Sequence, residues 1–325
     1  MSFLEVEGLS VRLGGAAVLS DVSFTLERGE RVGLIGESGS GKSMTALAVI
    51  GLLPDHARVQ GRILLEGTDL QTIGERRRCA VRGDRIAMVF QEPMTALNPT
   101  MRVGRQVEEV IALHQRASRQ EATRRALELL HRVEFPDPER VARAYPHQLS
   151  GGQRQRIMVA MAVACGPSLI LADEPTTALD VTVQAQVLRL LSRLVAEEDA
   201  ALLLISHDLA VVSSMCERLL VMYGGHLVER GPSAELLSRP AHPYTGGLLA
   251  TSAALTVELE DQASVLPTIP GSVPALGHFP SGCAFRSRCA RADGVCETEP
   301  QLGDGERAAA CWHPLSEPTA VGGPA

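Results

Sequence analysis

A glycine-rich motif near the amino terminus constrains the fold more than any other part of the chain. Residues 36–43 read Gly-Glu-Ser-Gly-Ser-Gly-Lys-Ser and fit G-x-x-x-x-G-K-[S/T], the phosphate-binding P-loop. The apolar run 31–35 predicts a buried strand before it, and residues 43–53 predict a helix that ends before Pro54. Such a turn aims backbone N–H groups and the positive end of a helix dipole at phosphate oxygens. The motif therefore predicts an α/β fold with a phosphate site.

The lysine of this motif stands out in the composition. Lys42 is the only lysine among the 31 lysine and arginine residues of the chain. A compact ammonium on a flexible stem fits between phosphate oxygens, where a broad planar guanidinium fits poorly. We expect Lys42 to contact the β- and γ-phosphates and the Ser43 hydroxyl to bind Mg²⁺.

Length and charge limit the remaining possibilities. The 325 residues suffice for two or more domains, and a 45% hydrophobic content with only 3% aromatics predicts an aliphatic core. A net charge of −7 argues against a nucleic-acid surface, which needs a basic face. The chain starts without a signal-peptide pattern, and no apolar run approaches the roughly 18 residues that span a bilayer. We expect a cytosolic protein, or a peripheral one on the cytosolic side of a membrane.

Two apolar runs end in polar side chains that suit phosphate chemistry. Residues 169–174 place Asp173 and Glu174 after four apolar residues, and residues 201–207 end at His207. Beside a P-loop, Asp173 would hold Mg²⁺ and Glu174 would polarise the attacking water. His207 would contact the γ-phosphate. The alternatives are a strand that emerges into solvent and a structural histidine.

A helical region separates the P-loop from these strands. Residues 85–91 predict a strand ending at Gln91, and helical periodicity predicts an inserted helical subdomain over residues 100–165. Ser150 is the expected N-cap of a helix that begins Gly-Gly-Gln. Bare amides at that start form an anion site, and a flexible cap is the alternative.

Four cysteines occur in the last fifth of the chain. They are Cys283, Cys289, Cys296 and Cys311. A segment with so little apolar surface needs a cross-link to stabilise its fold, and four thiolates bound to a metal would supply one. Zn²⁺ and a [4Fe–4S] cluster both suit four thiolates, although the paired C-x2-C spacing of zinc ribbons is absent. The other cysteines, Cys79, Cys165 and Cys216, are expected to be buried thiols.

The ordered motifs over residues 3–240 resemble an ABC-type ATPase domain. They are residues 36–43, Gln91, residues 149–153, residues 169–174, residues 178–180 and His207. Further features resemble the dipeptide/oligopeptide importer (peptide/nickel) branch, in which the cysteine-bearing tail is associated with an iron–sulfur cluster. They are residues 89–99, residues 242–245 and the four cysteines.

The resemblance implies an α/β P-loop ABC-type ATPase domain over residues 1–240. This domain has a RecA-like core, an antiparallel β subdomain and the inserted helical subdomain at about 100–165. Residues 241–325 would form a small cysteine-containing extension with the four-cysteine metal site.

The resemblance also implies roles for individual residues. Glu174 would be the catalytic base, His207 the switch histidine, and Gln91 the residue that touches Mg²⁺ and water and links to the membrane subunits. Ser43, Gln91 and Asp173 would hold Mg²⁺. The implied nucleotide contacts are Leu13, Gly36, Glu37, Ser38, Gly39, Ser40, Gly41, Lys42, Ser43, Met44, Ser150, Gly151, Gly152, Gln153 and Asp180. Leu13 departs from the family pattern, because an aromatic residue usually stacks on adenine there.

The implied function is ATP hydrolysis coupled to uptake of di- and oligopeptides. The implied cofactors are ATP, Mg²⁺ and a [4Fe–4S] cluster, with Zn²⁺ as the alternative. The implied partners are two integral membrane permease subunits, a second ATPase chain that is related but different, and an extracytoplasmic peptide-binding protein, with no nucleic acid. The chain would be peripheral, on the cytoplasmic face of the cell membrane. Competing interpretations are a soluble ABC-type ATPase acting on nucleic acid or ribosomes, and a P-loop kinase or switch protein.

Overall fold

The chain folds into two compact units, each built from separate segments. The computed structural model describes residues 2–177, 179–256 and 268–316. One unit, here called the helical unit, contains segments 1–3, 26–30 and 69–205. The other, here called the P-loop unit, contains segments 4–25, 31–68 and the described part of 206–325.

The described residues form both strands and helices. The strands are β1 (Leu4–Leu13), β2 (Ala16–Leu26), β3 (Arg31–Ile35), β4 (Arg58–Leu65), β5 (Thr68–Asp69), β6 (Ile86–Val89), β7 (Leu169–Asp173), β8 (Ala201–Ile205), β9 (Arg218–Tyr223), β10 (His226–Pro232) and β11 (Ala308–Ala309). The α-helices are α1 (Lys42–Ile50), α2 (Glu75–Val81), α3 (Pro93–Ala96), α4 (Val103–Gln115), α5 (Arg119–Arg132), α6 (Pro138–Arg143), α7 (Gly151–Val163), α8 (Val181–Glu197), α9 (Leu209–Met215), α10 (Ser233–Ser238) and α11 (Pro243–Thr256). Short 3-10 helices span Pro146–Gln148, Arg286–Arg288 and Gly294–Glu297.

In the P-loop unit, parallel and antiparallel strand pairs surround the glycine-rich turn. Strand β3 runs parallel to β9, and β9 turns back into β10 through Gly224 and Gly225, as the hairpin pattern predicts. Strand β11 pairs antiparallel with β10, so the cysteine-bearing segment contributes a strand to this sheet. Strand β1 pairs antiparallel with β4 in a second sheet, which also contains β2 and β5.

In the helical unit, three parallel strands form a largely buried sheet. Strands β6, β7 and β8 pair in that order, and every residue of β7 and β8 is buried. Apolar runs of this kind suit parallel strands with both faces covered. Helices α4 to α7 fall inside the predicted helical range 100–165. Among the described helices, none combines the length and apolarity needed to cross a bilayer.

Two details differ from the sequence-based expectations. Helix α1 ends at Ile50 rather than near Pro54. Gly51 adopts a left-handed conformation there (φ 71°), and its N–H donates a hydrogen bond to the carbonyl of Ala48. Cys79 is exposed, and the expectation of a buried thiol there was wrong. It lies on α2, a short arginine-rich helix none of whose residues is buried.

Two titratable side chains are buried where the residues before α11 meet β10. The fully buried carboxylate of Glu229 accepts hydrogen bonds from the backbone N–H groups of Ala241 (2.7 Å) and His242 (2.9 Å). His242 is 1% exposed, and burial lowers its pKa to about 4. Its Nδ1 accepts a hydrogen bond from the N–H of Tyr244 at 3.0 Å, which requires the neutral ring.

We expect His242 to make the fold sensitive to acid. Its pKa is lowered in the folded chain, so its stabilising effect is present above about pH 6.5 and is lost as the pH falls towards 4. His242→Asn keeps an acceptor for the Tyr244 N–H but does not titrate. The free energy of unfolding should fall less steeply in this variant, by up to roughly 3 kcal/mol between these limits. Urea unfolding at several pH values measures the difference.

The control for this experiment is His56→Asn, which changes an exposed histidine. Its pH profile should follow that of the wild type. Parallel profiles for the wild type and His242→Asn would contradict the prediction.

Candidate functional site

The turn between β3 and α1 is a tight glycine-rich loop. Gly36, Gly39 and Gly41 have positive φ angles of 152°, 79° and 105°, a region that side chains disfavour. A Cβ at Gly36 would overlap the carbonyl oxygen of Met222 in β9. These positions therefore require glycine, as the P-loop motif predicts.

The ammonium of Lys42 lies over this loop. Its side chain is buried, and Nζ donates hydrogen bonds to the carbonyl oxygens of Gly36 (2.7 Å) and Glu37 (2.9 Å). The N–H of Ser40 also donates to the Glu37 carbonyl, at 3.2 Å. The turn thus has the closed shape of a phosphate cradle, with one cation held inside it.

The remaining residues predicted in the P-loop unit differ in exposure. Ser38 and Gly39 are exposed at the tip, while Ser43 and Met44 are half-buried in the first turn of α1. Leu13 is half-buried at the end of β1. His207 is exposed, between Ser206 and the first residue of α9.

In the helical unit, β7 ends in the two predicted carboxylates. Asp173 is 6% exposed, and Glu174 is half-buried. Glu174 has a φ of 45°, and its N–H donates to the carbonyl of Ile205 at 2.9 Å. A left-handed conformation costs roughly 1–3 kcal/mol in a residue with a side chain and is typical of functional sites. The strand end therefore holds Glu174 in a fixed, strained orientation.

Two donors hold the Glu174 carboxylate. Gln91 Nε2 donates to Oε2 at 3.2 Å, and the Thr177 hydroxyl donates to the same oxygen at 2.8 Å. The parallel register of β6 and β7 brings Gln91 beside Glu174, although 83 positions separate them in sequence. Thr177 was not predicted from the sequence, where its only signal was its position three residues after Glu174.

Helix α7 begins with a capping box. The Ser150 hydroxyl accepts from the Gln153 N–H (3.3 Å), and the Gln153 side chain accepts from the Ser150 N–H (2.9 Å). Gly151 is exposed, whereas a Cβ at Gly152 would overlap a methyl group of Val183 in α8.

Helix α8 also has a defined start. The exposed Asp180 is its N-cap and accepts from the Val183 N–H at 3.0 Å. In the structure, this carboxylate, predicted from the sequence to bind nucleotide, stabilises the first turn of α8.

The structure brings the four tail cysteines into one region. The Cys283 N–H donates to the Cys296 carbonyl at 3.0 Å. Burial raises the pKa of Cys311 to about 11, and charges on the other three thiols raise it as well. Cys296 is buried, and the other three are partly exposed.

Two further potential ligands lie beside Cys296. Asp293, Cys296 and His313 each place a ligand atom within 4.8 Å of the others. His313 Nε2 lies 3.0 Å from Asp293 Oδ1 and holds the pKa of that carboxyl below its usual value. Asp293 and His313 were not predicted from the sequence, because only the cysteines showed a recurrent pattern.

Two parts of the chain match protein families. Residues 19–177 match the model of the ABC transporter family, and residues 228–296 match the oligopeptide/dipeptide transporter C-terminal region. The chain belongs to the ABC transporter family. It is an ATP-binding subunit of the oligopeptide/dipeptide group and an ATPase, as its motifs predict.

Individual relatives cover almost the whole chain. It is 49% identical to the probable D,D-dipeptide transport ATP-binding protein DdpD of Escherichia coli K12, over 95% of this chain and 94% of that protein. It is 43% identical to the oligopeptide transport ATP-binding protein OppD of Salmonella typhimurium LT2, over 97% and 94%. Both proteins match the extension as well as the ATPase domain.

Solved structures confirm the ABC-type ATPase fold. The ATP-binding cassette MJ0796, solved as a dimer in a post-hydrolysis state with ADP and phosphate, has a TM-score of 0.64 at 29% identity. The alignment covers 71% of this chain and 98% of that one. The structure of cbiO1 from Clostridium perfringens gives a TM-score of 0.63 at 26% identity, covering 73% and 91%.

We expect Gly36→Ala to distort the P-loop. The new methyl group would overlap the Met222 carbonyl and require a disfavoured backbone angle, which should cost roughly 2–4 kcal/mol of stability and abolish ATP binding. Gly67→Ala is the matched control, because Gly67 also has a positive φ (76°) but has no atom within 4 Å of the new methyl. Chemical denaturation and ATP-binding titrations would compare the two, and equal losses in both would contradict the prediction.

Proposed function

We propose that the chain powers uptake of dipeptides or oligopeptides, as a peripheral ATPase on the cytoplasmic face of the cell membrane. The observation that carries this proposal is the joint match to the ABC transporter and to the oligopeptide/dipeptide transporter C-terminal region. The relatives that match both regions have dipeptide or oligopeptide transport in their names. The peptide itself would be selected elsewhere in the transporter.

The proposed chemistry assigns one task to each side chain. Glu174 accepts the proton of the attacking water, and Gln91 and Thr177 hold its carboxylate through the hydrogen bonds described above. Lys42 and the amides of the P-loop stabilise the negative charge on the transferred phosphoryl group. Ser43, Gln91 and Asp173 are the residues we assign to Mg²⁺, which neutralises phosphate charge when it is bound.

Other residues are assigned to the γ-phosphate, the base and the subunit interface. His207 contacts the γ-phosphate and Leu13 makes an aliphatic contact with the base. The start of α7, from Ser150 to Gln153, binds the γ-phosphate of the nucleotide held by a second ATPase subunit. The exposed start of α7, with its capped first turn, supports this assignment. Asp180 lies at the subunit interface.

The proposed assembly contains several other chains. Two integral membrane permease subunits, a second and related ATPase chain, and an extracytoplasmic peptide-binding protein complete it. ATP binding closes the two ATPase subunits, and hydrolysis reopens them, which moves the membrane subunits. The dimeric structure of the similar cassette MJ0796 supports a paired ATPase.

We expect peptide uptake to depend on Glu174. In cells that lack this chain, wild-type protein should restore uptake of a labelled dipeptide or oligopeptide mixture, whereas Glu174→Gln should not. The amide keeps the size of the side chain and removes the base, so ATP hydrolysis should fall roughly 10²–10⁴-fold. The variant should still bind ATP and co-purify with integral membrane proteins. Full uptake without the chain, or co-purification with ribosomes or nucleic acid instead, would contradict the proposal.

We also propose that Cys283, Cys289, Cys296 and Cys311 hold a [4Fe–4S] cluster. Four thiols grouped in a small segment are a suitable donor set. The N–H of Cys283 donates to the carbonyl of Cys296, so the fold of the segment brings two of these cysteines together although 13 positions separate them in sequence. The cluster would bind these thiolates and stabilise the extension.

Metal analysis of the anaerobically purified chain tests this assignment. We expect about four irons and an absorption band near roughly 400 nm. Cys311→Ser should lose the iron, while Cys79→Ser, which changes an exposed thiol on α2, should keep it. One zinc that is lost in His313→Ala would contradict the cluster and assign the metal to Asp293, Cys296 and His313 instead.

A further inference from the structure

Glu37, the second residue of the P-loop, is held through its backbone and its side chain. Its carbonyl accepts from Lys42 Nζ (2.9 Å) and from the Ser40 N–H (3.2 Å). Its N–H donates to the hydroxyl of Tyr244 at 2.7 Å. The peptide that shapes the loop is thus fixed partly by a residue 207 positions away in sequence.

The Glu37 carboxylate forms a two-pronged ion pair with Arg288. Arg288 Nη1 lies 2.6 Å from Oε2, and Nη2 lies 3.1 Å from Oε1. The Arg288 side chain is 5% exposed, and its Nε donates to the Pro270 carbonyl at 2.9 Å. Two parallel charged hydrogen bonds from an arginine fix direction as well as distance. Arg288 directly precedes Cys289, so the pair joins the cysteine-bearing segment to the phosphate loop.

A cluster of aromatic rings supports both contacts. The chain has only three tyrosines and six phenylalanines, yet Tyr223, Tyr244, Phe279 and Phe285 meet here. Tyr223 and Tyr244 are fully buried with ring centroids 4.7 Å apart, and Phe285 lies 5.3 Å from Tyr244. Such rings pack rigidly, so the hydroxyl of Tyr244 and the guanidinium of Arg288 have fixed positions.

We propose that Arg288 and Tyr244 are positioning residues of the ATP site, through which the carboxyl-terminal segment sets the affinity of the P-loop for nucleotide. ATP brings several negative charges to a loop that itself contains the Glu37 carboxylate. Arg288 neutralises this carboxylate and holds it, while Tyr244 holds the adjacent peptide. The phosphates then meet a preformed loop and do not have to order it. The inference rests on ATP binding by the P-loop.

The test is equilibrium binding of a fluorescent ATP analogue to the full chain. Arg288→Gln should raise the dissociation constant roughly tenfold, and Arg288→Lys should recover part of this loss. In the assembled transporter, KM for ATP should rise while kcat stays within about twofold of wild type, because the contact acts before the transition state. Tyr244→Phe keeps the ring and removes only the hydroxyl, so it tests the proposal even if Arg288→Gln fails to fold.

The matched control is Arg286→Gln. Arg286 lies in the same 3-10 turn and pairs with Glu297 at 3.3 Å, not with the P-loop. It should bind ATP as the wild type does and retain its metal. Glu37→Gln should make the Arg288→Gln change nearly silent, because the two residues act through one contact.

Wild-type affinity in both Arg288→Gln and Tyr244→Phe would overturn the inference. So would an equal loss in Arg286→Gln, or additive losses in the Glu37 and Arg288 double variant. If the wild-type chain itself did not bind the analogue, the proposed ATP-driven function would be contradicted. Failure of that proposal is therefore distinguishable from failure of the inference about Arg288 and Tyr244.

Discussion

The close approach of the P-loop to β9 is the constraint on which the P-loop unit depends. Gly36 faces the carbonyl of Met222, and no side chain fits between them. The hairpin turn after β9 then bonds to the loop, since the Gly225 N–H donates to the Ser40 carbonyl at 3.0 Å. The Gly225 carbonyl accepts from Ser20 in β2. The phosphate loop, the hairpin and β2 therefore hold one another through backbone groups.

The carboxyl-terminal segment packs against the same sheet and the same loop. Strand β11 extends the sheet at β10, and the 3-10 turn with Arg288 reaches the P-loop. Glu229 in β10 accepts a hydrogen bond from the backbone of His242, directly before α11, and so fixes the start of that helix. The cysteine-bearing segment is thus part of the P-loop unit, and changes in its packing act on the loop through Arg288 and Tyr244.

Much of the local structure could be predicted because it depends on neighbouring residues. The strand–turn–helix around Lys42, the Ser150 cap of α7 and the Gly224–Gly225 turn follow from backbone preferences within a few positions. The end of α1 was misplaced because Gly51 stops the helix before Pro54 does. The exposure of Cys79 was missed because an isolated cysteine carries no signal of its neighbours.

By itself, the sequence determined the phosphate chemistry, the family and the order of the motifs, since these depend on short residue patterns. Only the tertiary structure decided which groups hold the functional side chains. Gln91 reaches Glu174 across 83 positions, and Arg288 reaches Glu37 across 251. No local preference encodes such pairs, because they form only when strand register and buried aromatic packing bring distant segments together.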